Sequence, residues 1–157
     1  MKLRLVCVGK LSEDWQKQAC ADYSKRLKHR FTLDIVELKE EKGGRRGDTA
    51  TLLHREGQRI LDKISAQDFA VVLDETGRQL TSVQLADTLG EKMLHGAQPW
   101  CLIIGGPYGL DPQVKQRANL MLSLSKLTLT HQMARLFLLE QLYRGSTILR
   151  NEPYHNP

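Results

Sequence analysis

Short apolar runs alternate along this chain with longer segments that carry apolar residues at helical spacing, and no other feature constrains the fold as tightly. Residues 69–73 (FAVVL) and 100–104 (WCLII) are continuous apolar runs, as expected of strands buried on both faces. Residues 2–9 set Leu3, Leu5 and Cys7 against Lys2 and Arg4 before turning wholly apolar, and residues 31–38 put Phe31, Leu33 and Ile35 on one strand face. The segments between read as helices. Ser12 can cap the first, with Glu13 and Asp14 in its opening turn and Arg26, Lys28 and Arg30 at its end, as the helix dipole favours. Asp48 or Thr49 starts a second that reaches about Ser65, and Thr81 with Gln84 forms a capping box for a third reaching about Leu94. Asp111-Pro112 opens a short fourth, and His131 to about Leu149 forms the last. Asp74-Glu75-Thr76-Gly77 reads as a turn, residues 39–48 (KEEKGGRRGD) as a loop, and residues 120–129 as strand-like alternation broken by serines. The βαβαβαβαβα order predicts one α/β domain over residues 1–157, with a mainly parallel sheet and helices on both faces.

With 157 residues, 41% of them hydrophobic, the chain can bury a core of its own. No apolar run approaches the roughly 20 residues needed to span a bilayer. The N-terminus lacks the apolar stretch and cleavage site of a signal peptide, so a cytoplasmic location is expected. Cys7, Cys20 and Cys101 are too far apart for a zinc knuckle and odd in number, and the five histidines show no HxxxH pair, so no metal is expected. A net charge of +5 suits a polyanionic partner, although a merely solvated surface accounts for it equally well.

In open α/β sheets ligands gather at the carboxyl ends of strands. Three such ends here have permissive or hydroxyl-rich backbone: 73–77 (LDETG), 104–109 (IGGPYG) and 124–130 (LSKLTLT). Together they make a plausible pocket wall without naming its ligand. There is no phosphate-binding GxxxxGK[ST], no GxGxxG after the first strand and no GxSxG elbow, which disfavours P-loop, dinucleotide and hydrolase chemistry. The last helix is apolar around most of its circumference, so it should be buried on more than one side, against its own sheet and a second subunit or as a central helix of a monomer. On it His131 and Arg135 share a face. Arg144 follows Arg135 by nine residues, at about 100° each, and points almost oppositely. The tail 150–157 (RNEPYHNP) carries Tyr154 and His155, which could stack on a base or move a proton, or could simply fray.

The start MKLRLVCVGK, the stretch LIIGGPYGL, the run SLSKLTLTHQMARLFLLEQLYR and the ending NEPYH resemble, end to end, the ribosomal RNA large-subunit methyltransferase H family of the SPOUT class. The resemblance implies a deep C-terminal trefoil knot, a homodimer, and S-adenosyl-L-methionine as methyl donor. It implies transfer to N3 of a pseudouridine in 23S rRNA on the assembled ribosome. By motif, the cofactor-binding residues would be Leu73, Gly105, Gly106, Ser125, Lys126, Leu127, Thr128, Leu129 and Thr130, with Arg144, Tyr154 and His155 catalytic. Lys126 would place a charge beside a cationic cofactor, unless it turns to solvent or RNA. Competing readings are a knotted RNA- or ribosome-binding module without catalysis, an enzyme for another adenine-containing ligand, and a methyltransferase for another RNA such as tRNA.

Overall fold

A computed structural model describes residues 1–43, 48–96 and 98–157. Five strands, β1 (Lys2–Val8), β2 (Thr32–Leu38), β3 (Phe69–Gln79), β4 (Trp100–Ile104) and β5 (Leu120–Ser123), form one sheet in the order β2-β1-β4-β3-β5. Every pairing is parallel. Five helices accompany them: α1 (Asp14–Lys28), α2 (Thr49–Leu61), α3 (Ser82–Leu94), α4 (Pro112–Arg117) and α5 (His131–Leu149).

Period-two alternation in the strands sorts the core into two halves. Leu3, Leu5, Cys7, Val71, Trp100, Leu102 and Ile104 face α1, α3 and α5, meeting Leu27, Leu85, Leu89, Leu138, Leu139 and Leu142. Val6, Val8, Ala70, Val72, Cys101 and Ile103 face the other way, toward Ile60 of α2 and Val114 of α4. The register Leu3↔Trp100 and Phe69↔Trp100 keeps like faces aligned across strands. All three cysteines are free and buried, and burial pushes the Cys7 and Cys101 thiols up to about 12.

Several boundaries differ from the sequence reading for local reasons. α1 is preceded by Glu13 as N-cap, with no side-chain cap bond, because Ser12 is engaged by Gln132 of α5. β3 does not end in a turn at residues 74–77. Leu73 and Arg78 both pair with Leu122, so the four residues between them bulge from a strand that continues to Gln79. A Cβ on Gly77 would lie 2.7 Å from the backbone of Met121 and Leu122, so only glycine lets β3 rejoin β5 there. β5 stops at Ser123, leaving 124–130 as a loop. The loop expected over 39–48 is irregular at 39–43, and residues 44–47 lie outside the described residues. The Asp48 cap on α2 and the Thr81–Gln84 capping box on α3 form as expected.

α5 lies between α1 and α3 on the sheet, which accounts for much of its apolar circumference; Phe137 stays exposed. Its end is a Schellman motif. Asn151 takes a positive φ of 54°, and the N–H groups of Asn151 and Glu152 return to the carbonyls of Ile148 and Thr147. That reversal aims the tail back along α1 and α5. Among the described residues no helix is long and apolar enough to cross a membrane.

Candidate active site

The carboxyl ends of β4, β3 and β5 are adjacent in the sheet, and the segments leaving them wall an open pocket of about 1110 Å³. Leu73, Gly105, Gly106, Ser125, Leu127, Thr128, Leu129 and Thr130 all line it. Lys126 does not: its side chain is exposed on the outside of the loop. The glycines answer to packing as much as to a ligand. A Cβ on Gly105 would come within 2.8 Å of the Gly109 carbonyl and the Leu110 side chain, so Gly105 is needed for the loop to fold back on itself.

Two features of the lining look outward for partners. Among the described residues, backbone–backbone hydrogen bonds omit 125–129 entirely. That loop is held by Ser123 Oγ donating to the Ser125 carbonyl and Leu127 N–H donating to Ser125 Oγ. Its remaining amides and carbonyls are available to the polar edge of a flat ring seated among Leu73, Ile104, Leu110, Leu122 and Leu129. Gln16, from α1, is buried on the pocket wall with Oε1 lacking any donor, a state that favours a ligand bringing one.

Arg144, Tyr154 and His155 form a second cluster that shares no residue with the pocket lining. Arg144 Nη2 donates to Glu140 Oε1 at 2.6 Å, and Arg144 Nη1 lies 3.5 Å from His155 Nδ1. Hydrogen bonding to Glu140 raises the Arg144 pKa further, so the guanidinium stays charged. Tyr154 Oη donates to Glu140 at 3.0 Å and meets the Tyr23 hydroxyl at 3.1 Å. Its ring is packed edge-on to Tyr143 and lies under the Arg144 guanidinium, 4.8 Å away. Far from fraying, the tail is clamped by Glu152, which takes two hydrogen bonds of 2.6 and 2.7 Å from Arg30.

Sequence reasoning missed Glu140, Tyr23, Glu152 and Gln16. Glu140 was within reach, since it stands one turn before Arg144 at i,i+4. Contacts such as Arg30–Glu152, 122 residues apart, leave no local signal. Arg135 separates from Arg144 as their spacing implies. It is buried against Glu37 and the Gly9 carbonyl, with bonds of 2.7 and 3.0 Å, and so braces the ends of β1 and β2.

A family profile described as "Predicted SPOUT methyltransferase" matches residues 1–155. The chain belongs to the SPOUT methyltransferase family. Among SPOUT relatives it is 53% identical over 156 residues to the ribosomal RNA large subunit methyltransferase H of Syntrophotalea carbinolica, covering 99% of each chain. Proteins of the same name from Trichlorobacter lovleyi and Bacillus pumilus are 45% and 42% identical, each over 99% of this chain and 100% and 99% of their own. The pocket described above lies at the strand ends where this SPOUT chain carries the LIIGGPYGL and SLSKLTLTH motifs.

Proposed function

We propose that this chain methylates large-subunit ribosomal RNA, using S-adenosyl-L-methionine as donor and N3 of a pseudouridine in 23S rRNA of the assembled ribosome as acceptor. The observation that carries this reading is the end-to-end identity with relatives named ribosomal RNA large subunit methyltransferase H, in a chain that keeps a roomy strand-end pocket. The lining fits the donor. Apolar walls and unpaired loop backbone suit an adenine, and the orphaned Gln16 oxygen suits an ammonium, hydroxyl or amino group.

The donor's sulfonium supplies an activated methyl carbon, so the protein's task is chiefly alignment and charge control. Leu73, Gly105, Gly106, Ser125, Leu127, Thr128, Leu129 and Thr130 would hold the adenosine. Arg144, kept cationic by Glu140, would stabilise the negative charge that develops on the pyrimidine imide as its N–H is lost. His155, beside Arg144, would accept that proton or orient the base. Tyr154 has its ring and hydroxyl engaged within the chain, which favours a role in holding Arg144 over one in stacking on the base.

Because the Arg144 cluster and the pocket share no residue, the reading includes a homodimer in which one protomer's pocket meets its partner's cluster. The exposed Trp15, Leu127 and Phe137 support it, lying on α1, the 124–130 loop and α5, which all contribute pocket residues. A knotted passage of the segment after β4, and action in the cytoplasm where ribosomes are found, belong to the same proposal. The test is transfer of tritiated methyl from S-adenosyl-L-methionine to ribosomes lacking this modification, with mapping of the label. Label at one 23S pseudouridine upholds the proposal; label on tRNA alone would replace its substrate.

A further inference from the structure

A donor of this kind ends in a carboxylate, and a carboxylate taken into a pocket needs a cation or well-aimed N–H donors. The pocket lining supplies acidic groups in Glu13, Asp74 and Glu75, but Lys115 is its one lysine or arginine among the described residues. Lys115 stands on α4 with its side chain 36% exposed and its Nζ 2.7 Å from Asp74 Oδ2. Asp74 itself is fixed by the bulge it sits in. Its Oδ1 accepts both the Thr76 N–H, at 3.0 Å, and the Thr76 hydroxyl, at 2.5 Å. Burial opposes its ionisation, yet the Lys115 ammonium and the Thr76 hydrogen bonds outweigh this, and the carboxyl lies below its usual range. An ammonium has three donors, and Asp74 occupies one. The remaining two are free to meet a second anion without breaking the pair.

We infer that Lys115 anchors the aminocarboxylate end of the methyl donor, with Asp74 as the residue that positions it. This rests on reading the pocket as the donor site, and it adds a residue on α4 to the three strand-end segments. The bulge in β3 gains a purpose from it: four looped-out residues carry Asp74 to a place from which it can hold an α4 side chain at the pocket. Lys115 is partly exposed, on a surface helix, so its replacement spares the core.

Two ligands separate this role from a strut between β3 and α4. S-adenosylhomocysteine and 5′-methylthioadenosine share adenosine and thioether, and only the first has the aminocarboxylate. Calorimetric titration of the wild-type chain, Lys115→Gln and Lys115→Arg with both ligands provides the readout. Loss of one charged hydrogen bond should weaken S-adenosylhomocysteine about tenfold or more in Lys115→Gln. Binding of 5′-methylthioadenosine should stay within about twofold, and Lys115→Arg should restore most of the loss. Equal weakening of both ligands, or no change in either, overturns the assignment. A wild-type chain that binds neither ligand instead removes the donor-site reading, and this inference with it.

Discussion

Arg135 donates to Glu37 from a side chain only 4% exposed, whereas Glu37 keeps 35% of its own surface in water. The two deletions should therefore differ. Glu37→Ala strands a buried guanidinium and should cost about 3 kcal/mol, while Arg135→Met leaves a carboxylate that can rehydrate and should cost roughly 1 kcal/mol. Urea unfolding of both variants checks this, and equal losses would contradict it. Glu140 holds Arg144 and Tyr154 together, so Glu140→Gln should lower kcat about 100-fold through misplacement while leaving donor affinity unchanged. A parallel fall in donor affinity would mean that Glu140 acts on the fold. The Glu152 carboxyl is lowered from 4.5 by its hydrogen bonds with Arg30. A depressed carboxylate stabilises the tail fully above its unfolded value and loses that hold as pH falls through the lower folded value. Protection of the Tyr154 amide from exchange, relative to the unfolded-chain rate at the same pH, should thus fall on acidification below about pH 4.5, and Arg30→Ala should abolish that dependence. These residues were unequally legible. Arg144 and His155 were proposed through motif resemblance, Glu140 could have been found from helical spacing, and Glu152 could not, because its partner Arg30 lies 122 residues away, just past the end of α1.

Elements were read better than their ends. Strand periodicity placed Leu3, Leu5 and Cys7 on one face, as the core has them, whereas the wholly apolar runs that hold Val71 and Leu102 read as strands without revealing which residues share that face. Ends failed where long-range contacts decided them: Gln132 takes Ser12 away from capping α1, and β5 draws β3 onward past its bulge. The pocket loops were visible as strand ends, but the direction of Lys126 was left open, because a sequence does not say which way a loop side chain turns. Gly77→Ala tests the bulge. Its Cβ would meet β5 backbone at 2.7 Å, which cannot move aside as a side chain could. The substitution should destabilise the chain by about 1–3 kcal/mol and weaken binding in the pocket, because β5 leads directly into 124–130. Thermal unfolding with and without S-adenosylhomocysteine reads both effects; an unchanged ligand-induced shift would separate the bulge from the site.

At the scale of the molecule, the proposed action on RNA leaves the net charge of +5 carried by these 157 residues to meet the phosphates. Ribosome affinity should fall steeply with salt, the logarithm of the binding constant losing about 0.7 to 0.9 per phosphate contact for each unit of log salt. Filter binding across a salt series gives the number of contacts, and a flat response would point to recognition through protein. Mixing Arg144→Ala protomers with protomers whose pocket is blocked at Gly105 should restore activity if sites are shared between subunits, and should not if each chain is self-sufficient. The strand order carries a last consequence, for synthesis. β4 lies between β1 and β3, so the middle of the sheet is vacant until residue 104 has left the ribosome. Until then β1 and β3 each present an unpaired edge, and their closure spans nearly the whole preceding chain, a high-contact-order step that folds slowly. Nascent chains halted before β4 should accordingly be the ones that aggregate or draw chaperones most, and release of five residues, Trp100–Ile104, should fill the gap between β1 and β3, leaving β3 open only on the side that β5 later covers.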